Sequence, residues 1–440
     1  MRKYLLIAAM GLAACGSDKK TDTTPTGNGN DITNPNNTGD GNNVTPVDDS
    51  QLTGPQIALM GRFAPAQGGG NLMAWAGSRI TARVKGTTSV TVGLKTSNPY
   101  NQGRVSFSVT VDDAPGTPST IVLDNNQLIT NFEVTLPDTE PHVVRFTKIS
   151  EPAYGLAVFT GVTAGEGGEL TATPALSNRH IEFIGDSITN GYGVMQGDPC
   201  NGNSTNSNAD QSFATLTAKA LKADYTLIAY SGRGLAKNLD GTDSITHDAN
   251  NADNANNVMP AMFLDTIPPS STTPTAVAWD ATQKQPSVVV INLGTNDFSW
   301  ARIAHVNGGN TTGTCTDLLC NPDEATFVAN YVAFLAQVRA AYPDAYIVAT
   351  TGPMLSDNYP GTAKQHLASK TYIEAAVAQA ADAKISSYDF GVQPTVDVVT
   401  ACNSHPNPTE HIRMATGGTD ASGDVQAGLV SYIKSITHWE

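Results

Sequence analysis

From Pro55 to about Pro174 apolar and polar positions alternate with a period of two. Val105, Phe107, Val109 and Val111 are interleaved with Ser106, Ser108 and Thr110, as in strands with one buried face. Similar short runs occupy Ser89–Leu94, Asn131–Leu136, His142–Lys148 and Gly155–Val162. Turn clusters such as Asp112-Asp113-Ala114-Pro115-Gly116 separate them. This spacing predicts an antiparallel β-sandwich of jelly-roll type. After Arg179 the pattern changes to apolar runs alternating with helical stripes. Strands are predicted at His180–Ile184, Tyr225–Tyr230, Ser287–Leu293, Ala345–Thr350 and Lys384–Phe390. Ser287–Leu293 is almost wholly apolar, as a central parallel strand covered on both faces must be. Helices are predicted at Gln211–Lys222, Glu324–Tyr342, Ala363–Ala383 and Val425–Ile436. In the second of these Phe327, Tyr331, Leu335 and Val338 share one stripe. The sum is a three-layer α/β domain with a parallel sheet, preceded by an all-β domain. The long connection Asn238–Pro286 is expected to hold a short helix near Pro260–Leu264 and to line one side of a site.

The first residues do not belong to either pattern. Arg2 and Lys3 precede a short apolar run, Leu5–Ala14, which is too short to span a membrane. Leu12-Ala13-Ala14-Cys15 resembles a bacterial lipobox, so Cys15 is the expected lipidated N-terminus, and Ser17 points to outer-membrane sorting. An ordinary signal peptide, followed by secretion, is the alternative. Gly16 to about Ser50 is dominated by Asn, Thr, Asp, Gly and Pro. It lacks the apolar surface needed to offset its chain entropy, so it is expected to be a disordered tether. The expected division is therefore a signal peptide over 1–15, a tether over 16–52, a sandwich over 53–176 and a catalytic domain over 177–440.

Composition narrows the partners. The 440 residues carry a formal net charge of −15, and only 15% are charged. An acidic surface argues against nucleic acid or anionic lipid and fits a neutral glycan or ester. Membrane contact is expected only through the lipid, and the chain is expected to act as a monomer. Of the five cysteines, Cys15 aside, four remain: Cys200, Cys315, Cys320 and Cys402. In an exported chain they suggest disulfides, Cys315–Cys320 and Cys200–Cys402 being the pairing considered, with free thiols the alternative. No His/Cys cluster has zinc spacing.

The chemistry gathers where strands end. Gly185-Asp186-Ser187-Ile188-Thr189, Ser231-Gly232-Arg233-Gly234 and Gly294-Thr295-Asn296-Asp297 each follow a predicted strand, and His405-Pro406 lies near the C-terminus. Ligands of open parallel sheets collect at the carboxyl ends of strands. Ser187 needs a base to act as a nucleophile near neutral pH, and His is suited to that pH. His142 falls in the sandwich and His180 at a strand. His405, in a loop leading into a helix, is the candidate base. His411 is second, with a helical spacing that suggests a surface position. The backbone N–H groups of Ser187 and Gly232 and the Asn296 amide are candidate oxyanion donors, each worth about two to three orders of magnitude in rate. Each signal has a plain alternative: a turn, a strand-to-helix connection or a capping histidine. Their order and placement together favour serine-based ester hydrolysis. Trp300 is a candidate for lining the substrate site or for simple packing. Trp279-Asp280 is expected to anchor the long connection.

These blocks resemble the SGNH (GDSL) hydrolase superfamily. The stretches His180–Thr189, Tyr230–Gly234 and Ile291–Phe298 narrow the resemblance to carbohydrate esterase family two, acetylxylan esterases with a jelly roll before the catalytic domain. Gly61-Arg62-Phe63 and Trp75-Ala76-Gly77-Ser78 match that family's opening pattern. The resemblance implies an SGNH-type, flavodoxin-like parallel sheet domain. It implies Ser187 as nucleophile, Gly232 and Asn296 completing the oxyanion hole, His405 as base, no metal or cofactor, and acetylated xylan or related glycans as substrate. Many SGNH enzymes place Asp three residues before the His, where this chain has Cys402. Loss of such an acid from an enzyme built around it costs about ten-thousand-fold. Members of the resembled family act as Ser-His dyads, so a carbonyl within Ala401–Asn403 is expected to orient His405. Asp397 is the alternative acid, and Asp186 is expected to support the turn. Two other functions stay open: a broad-specificity short-chain or aryl esterase, and a non-catalytic glycan-binding lipoprotein.

Overall fold

The computed structural model describes residues 52–96, 104–114, 119–123, 130–195, 206–243, 257–268, 277–307, 320–358, 363–394 and 401–440. The signal segment, Cys15, the tether, Cys200, Cys315 and Asp397 lie outside them. Residues 49–440 form one compact unit.

The alternating region folds into two antiparallel sheets. One runs Ile57–Met60, Arg79–Lys85, His142–Lys148, Val105–Val111 and Ser119–Leu123, with Glu169–Thr171 beside Arg79–Lys85. The other runs Ala64–Pro65, Asn71–Met73, Ala157–Ala164, Ser89–Thr96 and Thr130–Thr135. Ile80, Ala82 and Val84 from the first sheet meet Val90, Val92 and Leu94 from the second, and Phe107, Phe146 and Phe159 fill the core. Arg79–Lys85 alternates perfectly, yet its charges hide it as a strand in the sequence. Its outward groups find partners, Arg79 at Asp224 and Arg83 at Thr171 Oγ1.

The second region is a five-stranded parallel sheet in the order Asp224–Ala229, His180–Gly185, Val288–Asn292, Tyr346–Thr351, Ile385–Asp389. Every strand lies within two residues of its predicted bounds. This 2-1-3-4-5 order switches direction between His180–Gly185 and Val288–Asn292, and ligands gather beyond the carboxyl ends of strands at such a point. Helices Glu324–Ala341 and Gln365–Ala380 cover one face, through Phe327, Tyr331, Leu335 and Ile373. Helices Phe213–Ala220, Pro408–Thr416 and Leu429–Thr437 cover the other, through Phe213, Met414, Leu429 and Ile433. The last helix begins after Gly428 (φ 79°), later than its apolar run predicts, because Val425 pairs with Thr419 in a small antiparallel bridge. Helix Thr295–Asn307 was read in the sequence only as a turn.

The two regions share a polar core. Arg62 is fully buried and donates through Nη2 to both oxygens of Glu182, at 3.1 and 3.0 Å, in the middle of a parallel strand. Its Nη1 donates to the carbonyls of Phe263 and Asp265 at 2.7 and 2.9 Å, and Trp75 Nε1 donates to the Asp265 carbonyl at 3.0 Å. Removing one partner of a buried pair leaves an uncompensated charge, at a cost of about 3–5 kcal/mol. The sandwich motif residues Arg62 and Trp75 are therefore an interdomain anchor. Of the connection between residues 238 and 286, the described part from 257 to 268 and from 277 onward docks here. Met259 and Met262, on its short helix Met259–Met262, enter the core with Phe263, and Trp279 lies under Arg62, 5.0 Å from the guanidinium carbon.

Candidate active site

Strand His180–Gly185 ends at a turn that only a glycine can make. A Cβ on Gly185 would lie 2.1 Å from Thr189 Oγ1. Asp186 follows as the cap of the short helix Ser187–Asn190, its Oδ1 accepting from the Ile188 N–H at 3.0 Å. The Asp therefore supports the turn, and Ser187 stands at the helix start with 8% of its surface exposed.

His405 reaches Ser187 from the opposite end of the domain. Its Nε2 lies 2.7 Å from Ser187 Oγ, and its Nδ1 lies 2.9 Å from the Cys402 carbonyl oxygen. A carbonyl can only accept, so Nδ1 carries the proton and Nε2 is left with its lone pair toward the hydroxyl. That is the tautomer a general base needs. The orienting group is a backbone carbonyl in the Ala401–Asn403 segment, three residues before His405. Tyr192 packs against the imidazole, with ring centroids 4.7 Å apart.

The second and third blocks converge on the same point. Gly232 has φ 78°, and no heavy atom lies within 4 Å of the position a Cβ would take. Its glycine is required by backbone conformation, with open cavity in front of it. Asn296, 6% exposed, donates through Nδ2 to the Arg233 carbonyl at 2.8 Å and approaches Asp186 Oδ2 at 3.4 Å. Asp297 accepts from the backbone N–H groups of Leu235, Ala236 and Lys237 at 2.9, 2.7 and 2.8 Å, which fixes the loop after Gly232. Burial pushes Asp186 up to about 7 and Asp297 up to about 6, each offset in part by those backbone donors.

Ser187, Gly232, Asn296 and His405 line one cavity of about 760 Å³, with Tyr192 and Arg302 on its walls. Trp300 does not line it. Asn296, Ser299 and Arg302 share the helix face toward this cavity. Asp297, Trp300, Ala301 and Ala304 face a neighbouring one, and the backbone at Gly241 packs against the indole. Helical periodicity thus turns the tryptophan away. From the long connection only Leu239, among the described residues, reaches the cavity. His411 is fully buried rather than on the surface, and its Nδ1 accepts from the Phe213 N–H at 3.1 Å. Cys320 and Cys402 are fully buried, and Cys315 and Cys200, their partners in the expected pairings, lie outside the described residues. Sequence reasoning passed over several polar groups, among them Tyr192, Arg302 and Gln393 on the cavity wall, the last donating through Nε2 to the Ser404 carbonyl at 2.6 Å, and Glu151 behind it. None sits in a recurrent block, and only spatial proximity reveals them.

Comparison with known proteins agrees with this geometry. Residues 59–174 match the family described as "Carbohydrate esterase 2 N-terminal", and residues 183–412 match the "GDSL-like Lipase/Acylhydrolase family". The chain belongs to the GDSL-like hydrolases, in the branch of carbohydrate esterase family two. Membership carries the class of reaction, hydrolysis of carboxylic esters. "Cellulase/esterase CelE" of Acetivibrio thermocellus is 32% identical over 315 residues, 71% of this chain; the chain spans only 32% of that protein's length. "Acetylxylan esterase / glucomannan deacetylase" of Cellvibrio japonicus is 28% identical over 71% of this chain and 78% of its own. Among solved structures, a family two carbohydrate esterase from Clostridium thermocellum in complex with cellohexaose superimposes with a TM-score of 0.68 at 28% identity. That match covers 87% of this chain and 100% of the other.

Proposed function

We propose that this chain is a serine esterase that removes O-acetyl groups from xylan and related polysaccharides or oligosaccharides through an acyl-enzyme on Ser187. The observation that carries the reading is the hydrogen-bonded series Cys402 carbonyl, His405, Ser187, at 2.9 and 2.7 Å. In the proposed reaction Ser187 Oγ attacks the acetyl carbon while His405 Nε2 takes its proton. The Ser187 and Gly232 N–H groups and the Asn296 amide stabilise the oxyanion. The bond to the sugar oxygen breaks as His405 returns the proton to it. Water, deprotonated by His405, then attacks the acetyl-serine and releases acetate. The relatives named as acetylxylan esterases and glucomannan deacetylases support an acetylated glycan as substrate.

We further propose export with Cys15 lipidated, the sandwich and catalytic domains dividing near residue 176, Cys315–Cys320 and Cys200–Cys402 pairs, and a monomer. The composition of residues 1–50 supports export, the change of hydrophobic pattern near residue 176 supports the division, and the even count of later cysteines supports the pairs. Labelled palmitate should enter the wild-type chain and not Cys15→Ala. For the activity, purified protein should release acetate from acetylated xylo- and manno-oligosaccharides, followed by NMR, and Ser187→Ala should release none. Full turnover by Ser187→Ala would falsify the assignment, and octanoyl esters cleaved as fast as acetyl esters would shift it to a broad-specificity esterase.

A further inference from the structure

We propose that Glu151, a residue of the sandwich, is a positioning residue for ester hydrolysis: its buried carboxylate sets the Ser231–Gly232 turn that offers an oxyanion donor. The proposal rests on the esterase reading of Ser187 and Gly232 given above. Glu151 follows strand His142–Lys148 and precedes Pro152. A residue before proline is driven to extended backbone, and Glu151 has φ −74° and ψ 169°. It stands at the start of the 3₁₀ turn Pro152–Tyr154, yet its side chain caps nothing there. The side chain instead crosses into the α/β domain. Oε2 accepts from the Ser231 N–H at 2.8 Å and from Asn190 Nδ2 at 3.3 Å, and Oε1 accepts from Ser231 Oγ at 2.8 Å. Ser231 is the neighbour of Gly232. Asn190 ends the helix that Ser187 begins. One carboxylate therefore ties the nucleophile turn to the oxyanion turn.

The investment is large for a structural staple. Glu151 is 1% exposed, and a carboxylate so placed is tolerated only when fully hydrogen-bonded. Burial pushes its carboxyl up, and the bonds from Ser231 and the charge of Lys148 push it back. Lys148, itself fully buried, donates through Nζ to the Ser150 carbonyl at 2.6 Å and holds the segment in place. The Arg62–Glu182 pair already joins the domains elsewhere. What distinguishes Glu151 is where it lands. Gly232 has open space in front of it, so the peptide that carries its N–H is held through its neighbours: Glu151 fixes the Ser231 N–H on one side, and the Leu239 N–H donates to the Gly232 carbonyl at 2.9 Å on the other. A peptide in the left-handed region is free to rotate unless such partners hold it. Glu151 itself does not line the cavity.

Glu151→Gln keeps the shape and sets an NH2 group against donors. With p-nitrophenyl acetate, kcat should fall about ten- to a hundredfold, less than the roughly hundred- to thousandfold cost of removing an oxyanion donor outright, while KM stays within about twofold. Phenylboronic acid, which forms a tetrahedral adduct on the serine, should lose affinity in parallel with kcat. A role confined to stability would lower Tm and leave kcat per folded molecule and boronate affinity unchanged; that result overturns the proposal, as does a change in KM alone. Should Glu151→Gln fail to fold, Ser231→Ala carries the test, since it removes only the Oε1 bond. It should lower kcat severalfold at constant KM, and an unchanged kcat overturns the proposal. Wild type and Ser187→Ala run alongside. An inactive wild type sinks the esterase reading and this proposal with it, whereas an active wild type with unaltered variants sinks this proposal alone.

Discussion

The two halves of the Ser187–His405 pair are built on opposite principles. Ser187 follows a strand whose six residues are all buried, and its turn is set by one glycine and one capping carboxylate two residues or fewer away. Its position is a consequence of the sheet. His405 follows Asn403 and Ser404, two non-glycine residues with φ 53° and 61°. Each such conformation costs about 1 kcal/mol or more and persists only when its surroundings enforce it. The enforcing groups come from elsewhere in the chain: Gln393 at the Ser404 carbonyl, Tyr192 accepting from Asn403 Nδ2 at 3.2 Å, and Gly193 against Cys402. The nucleophile is placed locally and the base by bracing. Within this pair, substitutions distant from the chemistry should therefore act mainly through His405.

The strongest way to break this contrast is Gly193→Ala. A Cβ there would lie 2.3 Å from Cys402 Cβ and 3.1 Å from its backbone, so Cys402 must move, and its carbonyl holds His405. A displacement of about 1 Å costs about a hundredfold in rate, and kcat should fall by at least about that factor with the protein still folded. Gly423→Ala is the control. Gly423 has a similar φ of 90° but nothing within 4 Å of the new Cβ, so it should lose stability and keep kcat. Equal losses of activity in both variants would show that backbone strain, not displacement of Cys402, is responsible.

The next effect is one of pH on the helix that follows the base. His411 anchors Pro408–Thr416 to helix Phe213–Ala220 through the Phe213 N–H. Burial pushes its imidazole down to about 3 from 6.5, and the charge of His405 adds to the shift. Between these values the unfolded chain takes up a proton that the folded chain refuses, so this group lowers stability as pH falls from 6.5 toward 3. His180, also pushed to about 3 by burial, acts in the same direction, whereas buried acids such as Asp186 act in the opposite one. The difference between wild type and His411→Gln isolates the one group. Whatever their gap at pH 7, it should shift in favour of the variant by about 2 kcal/mol on acidification to pH 5. A gap independent of pH would mean that His411 is charged or exposed and does not anchor the segment as a neutral acceptor.

The same contrast explains what was legible in the sequence. The central parallel strands were visible as nearly unbroken apolar runs, whereas the edge strand Ile385–Asp389 is more polar and half-buried, and Ser187, Gly232 and Asn296 follow three of the five directly. The motif Gly61-Arg62-Phe63 stood out although its use did not: only the fold shows Arg62 reaching Glu182. Trp300, open in the sequence to substrate lining or to packing, lies on the flank of helix Thr295–Asn307 that carries Asp297, Ala301 and Ala304, and that helix opens with polar residues that resemble a turn. His411 was misjudged because a polar side chain at helical spacing suggests a surface, and the Phe213 N–H that buries it lies 198 residues away in sequence. Glu151, Tyr192 and Gln393 left no trace at all. Their partners are distant in sequence, and a single Glu before a Pro has no pattern.

A smaller effect is expected at Gln393. Its amide donates to the Ser404 carbonyl, and Gln393 is 8% exposed. Removing one partner of a buried hydrogen bond costs about 1 kcal/mol or somewhat more, and Gln393→Ala should lower kcat about tenfold. Gln393 also lines the cavity. The split between constants separates two roles: a fall in kcat at constant KM marks a brace for His405, and a rise in KM at constant kcat marks a substrate contact.

The smallest effect is expected at the strained residue itself. Ser404→Gly removes the cost of φ 61°, about 1 kcal/mol, and adds the chain entropy of glycine, about 0.5–1 kcal/mol, so that the two nearly cancel. Stability should change by less than about 0.5 kcal/mol. If the braces hold the base, kcat should stay within about twofold, because the Ser404 carbonyl and the bond from Gln393 are intact. The double variant Ser404→Gly with Gln393→Ala is then the sharper measurement. With glycine at 404 the loop has lost the stiffness of two adjacent left-handed residues, so loss of Gln393 should lower kcat further than it does beside Ser404. Additive losses would mean that Gln393 and the left-handed pair position His405 independently, and that the base is partly held by local conformation as Ser187 is.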